Sequence, residues 1–85
     1  MSRHNVTAHG KTYTYGYDNC VPEYYLMSID DKGQREFLVG GMASFAGTAG
    51  NLLQEFKRQK LLGIIHPEHI TLAALDLPIP QKEFV

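Results

Sequence analysis

Residues 35–63 read REFLVGGMASFAGTAGNLLQEFKRQKLLG, and this stretch decides the fold class. Arg35–Val39 reads as a strand. Residues 40–50 are a glycine-rich elbow with Gly40, Gly41, Gly47 and Gly50. From Thr48, a good N-cap residue, Ala49, Leu52, Leu53 and Phe56 fall on one helical stripe, with Glu55, Lys57, Arg58 and Gln59 off it. Gly63 is the expected left-handed residue closing that helix. A strand, an elbow and an amphipathic helix in that order imply a sheet with helices on one face.

The preceding sequence supplies the sheet. Asp31-Lys32-Gly33 is a three-residue hairpin loop in which Gly33 takes positive φ, and it joins the strand 35–39 to one running Glu23–Asp30. This geometry sets Asp30 opposite Gln34, Met27 opposite Phe37 and Tyr25 opposite Val39, with Leu26 meeting Leu38 on the other side. Tyr25, Met27, Phe37 and Val39, with Ile29 beside them, are then the expected core face. Upstream, Lys11–Tyr17 alternates strictly, placing Tyr13, Tyr15 and Tyr17 on one face and Thr12, Thr14 and Gly16 on the other. Asp18 to Pro22 breaks the pattern. Residues 1–8 are polar and expected to fray.

Downstream, His66-Pro67-Glu68-His69 carries helix-start signals, and Ile70, Ala73, Ala74 and Leu77 recur at helical spacing. A strand over 70–75 is the alternative, though alanine favours it little. Pro78-Ile79-Pro80 is extended and opens a tail, 78–85, whose Phe84 and Val85 would dock on the domain or on a second copy. The expectation is therefore an α+β domain spanning 1–85. It has an antiparallel meander of three or four strands, then an amphipathic helix and a second short helix packed on one face.

Composition narrows the function classes. Eighty-five residues make one small domain, and a hydrophobic fraction of 44% argues against disorder. A net charge of −1 lacks the basic excess of a nucleic-acid binder and does little to keep copies apart. The one cysteine, Cys20, forms no intrachain disulfide and suits a reducing cytoplasm. No apolar leader region and no run of 18 apolar residues is present, so neither secretion nor a membrane partner is expected.

No catalytic constellation emerges, so the protein is read as a non-enzyme. The glycines of the elbow match neither phosphate-loop spacing, and no cofactor is expected. His66 and His69, three apart with Glu68 between, are a pair too small for a metal site, and none is assigned. His66 is placed near the cap and His69 toward solvent. Cys20 has no histidine beside it in sequence.

The tyrosines carry the strongest functional signal. Tyr13, Tyr15, Tyr17 and Tyr24, with Tyr25, crowd two neighbouring strands. Tyrosine there covers core edges because it suits strands, or it forms a partner-binding face, or it stacks on single-stranded nucleic acid. The leading expectation is a homodimeric or protein-binding module using the tyrosine face, or the elbow with the tail Leu77–Val85. A second is a small-molecule pocket lined by Tyr15, Tyr17, Met42 and Phe45. A third is a nucleic-acid-associated protein, which the charge disfavours.

The run Tyr15-Gly16-Tyr17-Asp18, with Pro22, Tyr24-Tyr25, Leu38-Val39-Gly40-Gly41 and Leu52-Leu53, resembles small uncharacterised bacterial proteins of mobile elements such as integron gene cassettes. That resemblance covers most of the chain and implies neither an activity nor a site residue.

Overall fold

The computed structural model describes residues 2–41 and 43–81. Four strands come first: β1 (His4–Ala8), β2 (Lys11–Asp18), β3 (Glu23–Ile29) and β4 (Arg35–Val39). Helices α1 (Ala49–Arg58) and α2 (Pro67–Ala74) follow. The sheet is an antiparallel meander in the order β1-β2-β3-β4, open at both edges, which is the α+β architecture read from the sequence.

The N-terminal segment does not fray as expected. His4–Ala8 pairs along β2, from His4 opposite Tyr15 to Ala8 opposite Lys11. Ser2 extends that pairing: its N–H donates to the Tyr17 carbonyl at 2.9 Å, and its Oγ accepts the Tyr17 N–H at 2.9 Å. A polar segment orders here because the hydrogen-bonding edge of β2 satisfies its backbone groups.

At the β3–β4 hairpin, Gly33 has φ +80°, and Asp30 Oδ1 accepts the Lys32 and Gln34 N–H groups. Met27 opposes Phe37, as the loop geometry requires. Beyond that pair a bulge between Leu26 and Met27 shifts the ladder, so Leu26 meets Val39. The expected pairs Tyr25–Val39 and Leu26–Leu38 are therefore replaced. Of the expected core face, Val39 alone lies in the buried core. Tyr24, Leu26 and Ser28 point inward from β3, whereas Tyr25, Met27 and Ile29 are only half-buried and Phe37 is exposed. The bulge lets both Leu38 and Val39 be buried.

The core lies between the inward sheet face and the helices: Tyr13, Tyr15, Tyr24, Leu26 and Val39 meet Leu52, Phe56, Leu61, Ile65 and Ala73. Thr48 caps α1, its Oγ1 accepting the Asn51 N–H at 3.2 Å. Leu52 and Phe56 are fully buried, while Ala49 and Leu53 are half-buried against the core. Glu55, expected outside, is buried. Its carboxylate accepts from Gln59 Nε2 at 3.0 Å and pairs with Arg58 at 3.6 Å.

Helix α1 ends a turn before Gly63. Lys60 takes φ +59°, with Leu61 N–H bonded to the Phe56 carbonyl and Lys60 N–H to that of Lys57. This is a Schellman cap in which a lysine stands where glycine is usual. Burial of Leu61 stabilises the turn at that position. Asp76 repeats the device after α2, with φ +57° and Leu77 N–H on the Leu72 carbonyl. Residues 70–74 are helical, and no strand forms there.

Candidate functional site

Alternation along the strands decides what each sheet face can offer. Inward go Tyr13 and Tyr15 from β2, with Tyr17 half-buried beside Tyr24. Outward go Thr12, Thr14, Gly16 and Asp18, opposite Ile29, Met27, Tyr25 and Glu23 of β3. Phe37 and Arg35 continue this outer face on β4, and Asn5 joins it from β1, holding the Thr14 hydroxyl at 2.7 Å.

Of the tyrosines expected to form a contact surface, Tyr13, Tyr15 and Tyr24 are core residues and Tyr17 is half-buried against the core. Tyr13, Tyr15 and Tyr24 are each 2% exposed. The Tyr13 hydroxyl donates to Gln59 Oε1 at 3.3 Å and that of Tyr24 to the Leu77 carbonyl at 2.6 Å, while Tyr15 is bonded to His69 Nδ1 at 2.6 Å. Burial, then the nearby Asp76 carboxylate and Tyr17, push the Tyr24 phenol up to about 12. These rings bury their area against α1 and α2 and satisfy their hydroxyls inside.

The pocket expected from Tyr15, Tyr17, Met42 and Phe45 does not assemble as such. Phe45 is exposed between β4 and α1, with the Arg58 guanidinium 5.6 Å from its ring centre. Tyr15 lines a different cleft, alongside His4, His66 and His69. Met42 lies outside the described residues, as do Phe84 and Val85. The elbow serves close backbone packing: Gly40 N–H bonds the Phe45 carbonyl, Tyr24 N–H that of Gly47, and Glu23 Oε1 accepts from Gly41 N–H.

The surface that remains is the outer sheet face, which the helices leave uncovered. Its β3–β4 half holds a shallow trough of about 340 Å³ lined by Tyr25, Met27, Phe37, Arg3, Arg35 and Gly41. Phe37 is 47% exposed. Tyr25 lies across the trough with its hydroxyl donating to the Ser2 carbonyl at 2.5 Å. Burial raises its pKa, Arg3 acts against that, and Asp18 adds to it. The trough is charged at its ends: Asp18 and Glu23 with Arg3 at one, Arg35 at the other. Sequence reasoning had named its lining residues Tyr25, Met27 and Phe37 but assigned them to the core. The one available signal was that both alternating sets of β3 are apolar, so one of them had to face away from the helices.

His69 was expected in solvent and is 2% exposed, packed on His4, whose ring centre lies 4.2 Å away. His66 caps α2 as expected, its Nδ1 accepting the Glu68 N–H. Among the described residues no group of three or more histidine, cysteine, aspartate or glutamate side chains is arranged to hold a metal ion. Nor is any described helix long and apolar enough to cross a membrane. Cys20 is exposed in the β2–β3 turn, where Asp18 Oδ1 accepts its N–H. No protein family matches the chain, and no curated protein or solved structure is similar to it.

Proposed function

We propose that this protein is a small non-enzymatic interaction module that binds a second copy of itself through the outer face of its sheet. The observation that supports this reading is an apolar half-face, Tyr25, Met27, Ile29 and Phe37, left open on a sheet whose other face is already covered. An exposed contiguous apolar patch of this kind marks an interaction surface.

Charge favours a second copy as the occupant. A half-turn about an axis in the sheet plane and across the strands brings the Arg35 end of one copy over the Asp18–Glu23 end of the other. The same contact then occurs twice, as an isologous interface requires. A net charge of −1 opposes this pairing little. Four strands spaced about 4.8 Å apart give a face of roughly 450 Å², below the ~800 Å² per partner of a standard interface. The dimer is accordingly a dissociating one. The single exposed Cys20 suits the reducing cytoplasm as its location.

A stacking platform for single-stranded nucleic acid is the second reading. It is favoured by two aromatic rings, Tyr25 and Phe37, beside Arg3 and Arg35 on adjacent strands. The acids Asp18 and Glu23 on the same face oppose it.

Sedimentation velocity from about 5 to about 500 µM discriminates these readings. The wild-type protein should pass from monomer to dimer over this range, and Phe37→Glu or Arg35→Glu should stay monomeric while melting as the wild type does. A wild-type chain that is monomeric throughout overturns the self-association. Salt-sensitive binding of an oligothymidylate by that monomer would transfer the face to nucleic acid.

A further inference from the structure

The two edges of the sheet are finished differently. At β4 the edge carries exposed Arg35 and Glu36, and the bulge breaks its ladder before Val39. Charge and bulging of this kind keep foreign strands from pairing. At β1 the register runs unbroken from His4 to Ala8, and the sequence HNVTA holds no lysine, arginine, acid or proline.

Antiparallel pairing turns alternate residues of β1 toward β2. Ser2 N–H donates to the Tyr17 carbonyl, so the backbone groups of Arg3, Asn5 and Thr7 point away from the sheet. Those of Arg3 are taken by one side chain: its N–H donates to Gln81 Oε1 at 2.8 Å, and Gln81 Nε2 donates to its carbonyl at 3.2 Å. A single amide thus supplies the acceptor and the donor that an opposing residue of a fifth strand would supply. Asn5 and Thr7 are exposed and present the same pair of groups further along, and no described residue bonds to them there. The open run ends at His9, which turns away with φ +54° and sets its Nε2 3.3 Å from the Lys60 carbonyl.

We propose that the run Asn5–Thr7 accepts an extended peptide segment of another protein as a fifth strand. Pleating sets the chemistry of that segment. Its residues opposite Asn5 and Thr7 lie on the outer face beside those polar side chains. The residue between them points inward beside Val6, toward a cleft flanked by exposed Leu62 and Ile64. The segment is therefore polar, apolar, polar. A second copy does not fit. If β1 paired with β1 about a two-fold axis, with Asn5 opposite Thr7, the place beside Arg3 would fall to His9 of the other copy, and Gln81 already fills it. The charged, bulged β4 edge is no better as a partner strand. This edge is separate from the apolar half-face of β3 and β4, so the two surfaces are tested independently.

The probe is the capped peptide Ser-Thr-Val-Thr-Ser, added to the intact chain and followed by NMR. With a Kd of about 1 mM, peptide at about 5 mM should slow water exchange of the Asn5 and Thr7 amides by about sixfold. The Arg3 amide, already bonded to Gln81, should change little. Methylating the two threonine nitrogens of the peptide removes the donors to Asn5 and Thr7 and should abolish the effect. Thr7→Pro deletes one outward N–H and no bond to β2, and should abolish it at Asn5. If that variant does not fold, the methylated peptide alone decides. Unchanged exchange at Asn5 and Thr7, an equal effect from the methylated peptide, or full protection of both amides before any peptide is added overturns the proposal. So do changes confined to Tyr25 and Phe37, which would place the peptide on the outer face instead.

Discussion

The two faces of this sheet are built from the same kinds of residue and meet opposite fates. Inward, Tyr13, Tyr15, Tyr24 and Leu26 pack on Leu52 and Phe56 and are withdrawn from water. Outward, Tyr25, Met27, Ile29 and Phe37 share a half-face with no helix above them. Their polar neighbours Thr14 and Asn5 bond to each other, so the outer face is divided into a polar β1–β2 half and an apolar β3–β4 half. Hydrophobicity therefore marks both surfaces of β3 without saying which is the core. The helices settle it by covering the side on which β2 presents its tyrosines.

The largest expected effect separates two phenylalanines. Phe56→Ala, which empties a fully buried site, should cost about 3–5 kcal/mol in urea unfolding. Phe37→Ala on the outer face should change monomer stability by less than about 0.5 kcal/mol, as is typical of surface positions. Similar losses at both positions would break the distinction between the faces.

A smaller effect tests how closely the outer face is covered at its polar end. A methyl group at Gly16 would run into the Ser2 carbonyl, so Gly16→Ala should cost about 1–3 kcal/mol by overpacking. A neutral result would mean that Ser2 does not lie over β2, and the extension of β1 would fall with it.

The mildest test is alkaline titration. The Tyr24 phenol sits at about 12 in the folded chain against 10 unfolded, so below pH 10 both states keep the proton and nothing changes. Above it the unfolded chain loses the proton first, and stability falls progressively between pH 10 and about 12. Absorbance at the phenolate band should show delayed tyrosines, Tyr25 among them, and Tyr24→Phe should remove one of them. A normal titration would place Tyr24 at the surface after all.

Much of the fold was legible because it depends on neighbours in sequence. The Gly33 turn, the Met27–Phe37 pair, the Thr48 cap and the helix opened by Pro67 all follow from local backbone geometry. The candidate site was only half legible. Its residues were recognisable as apolar, yet both faces of β3 are apolar, and which of them the helices cover is decided by contacts distant in sequence. The order of residues 4–8 was hidden for a related reason, since a polar strand shows itself only when its partner edge is in place. The same holds for His4 and His69, ordinary in sequence and brought into contact from β1 and α2.

The sequence by itself determined that this chain makes a meander followed by helices, because turn residues, caps and apolar spacing act over a few residues. Tertiary structure alone decided which aromatic rings went inside, which stayed on the uncovered face, and which histidines met. Those outcomes depend on register and on where the helices settle, and both are fixed by contacts between residues far apart in the chain.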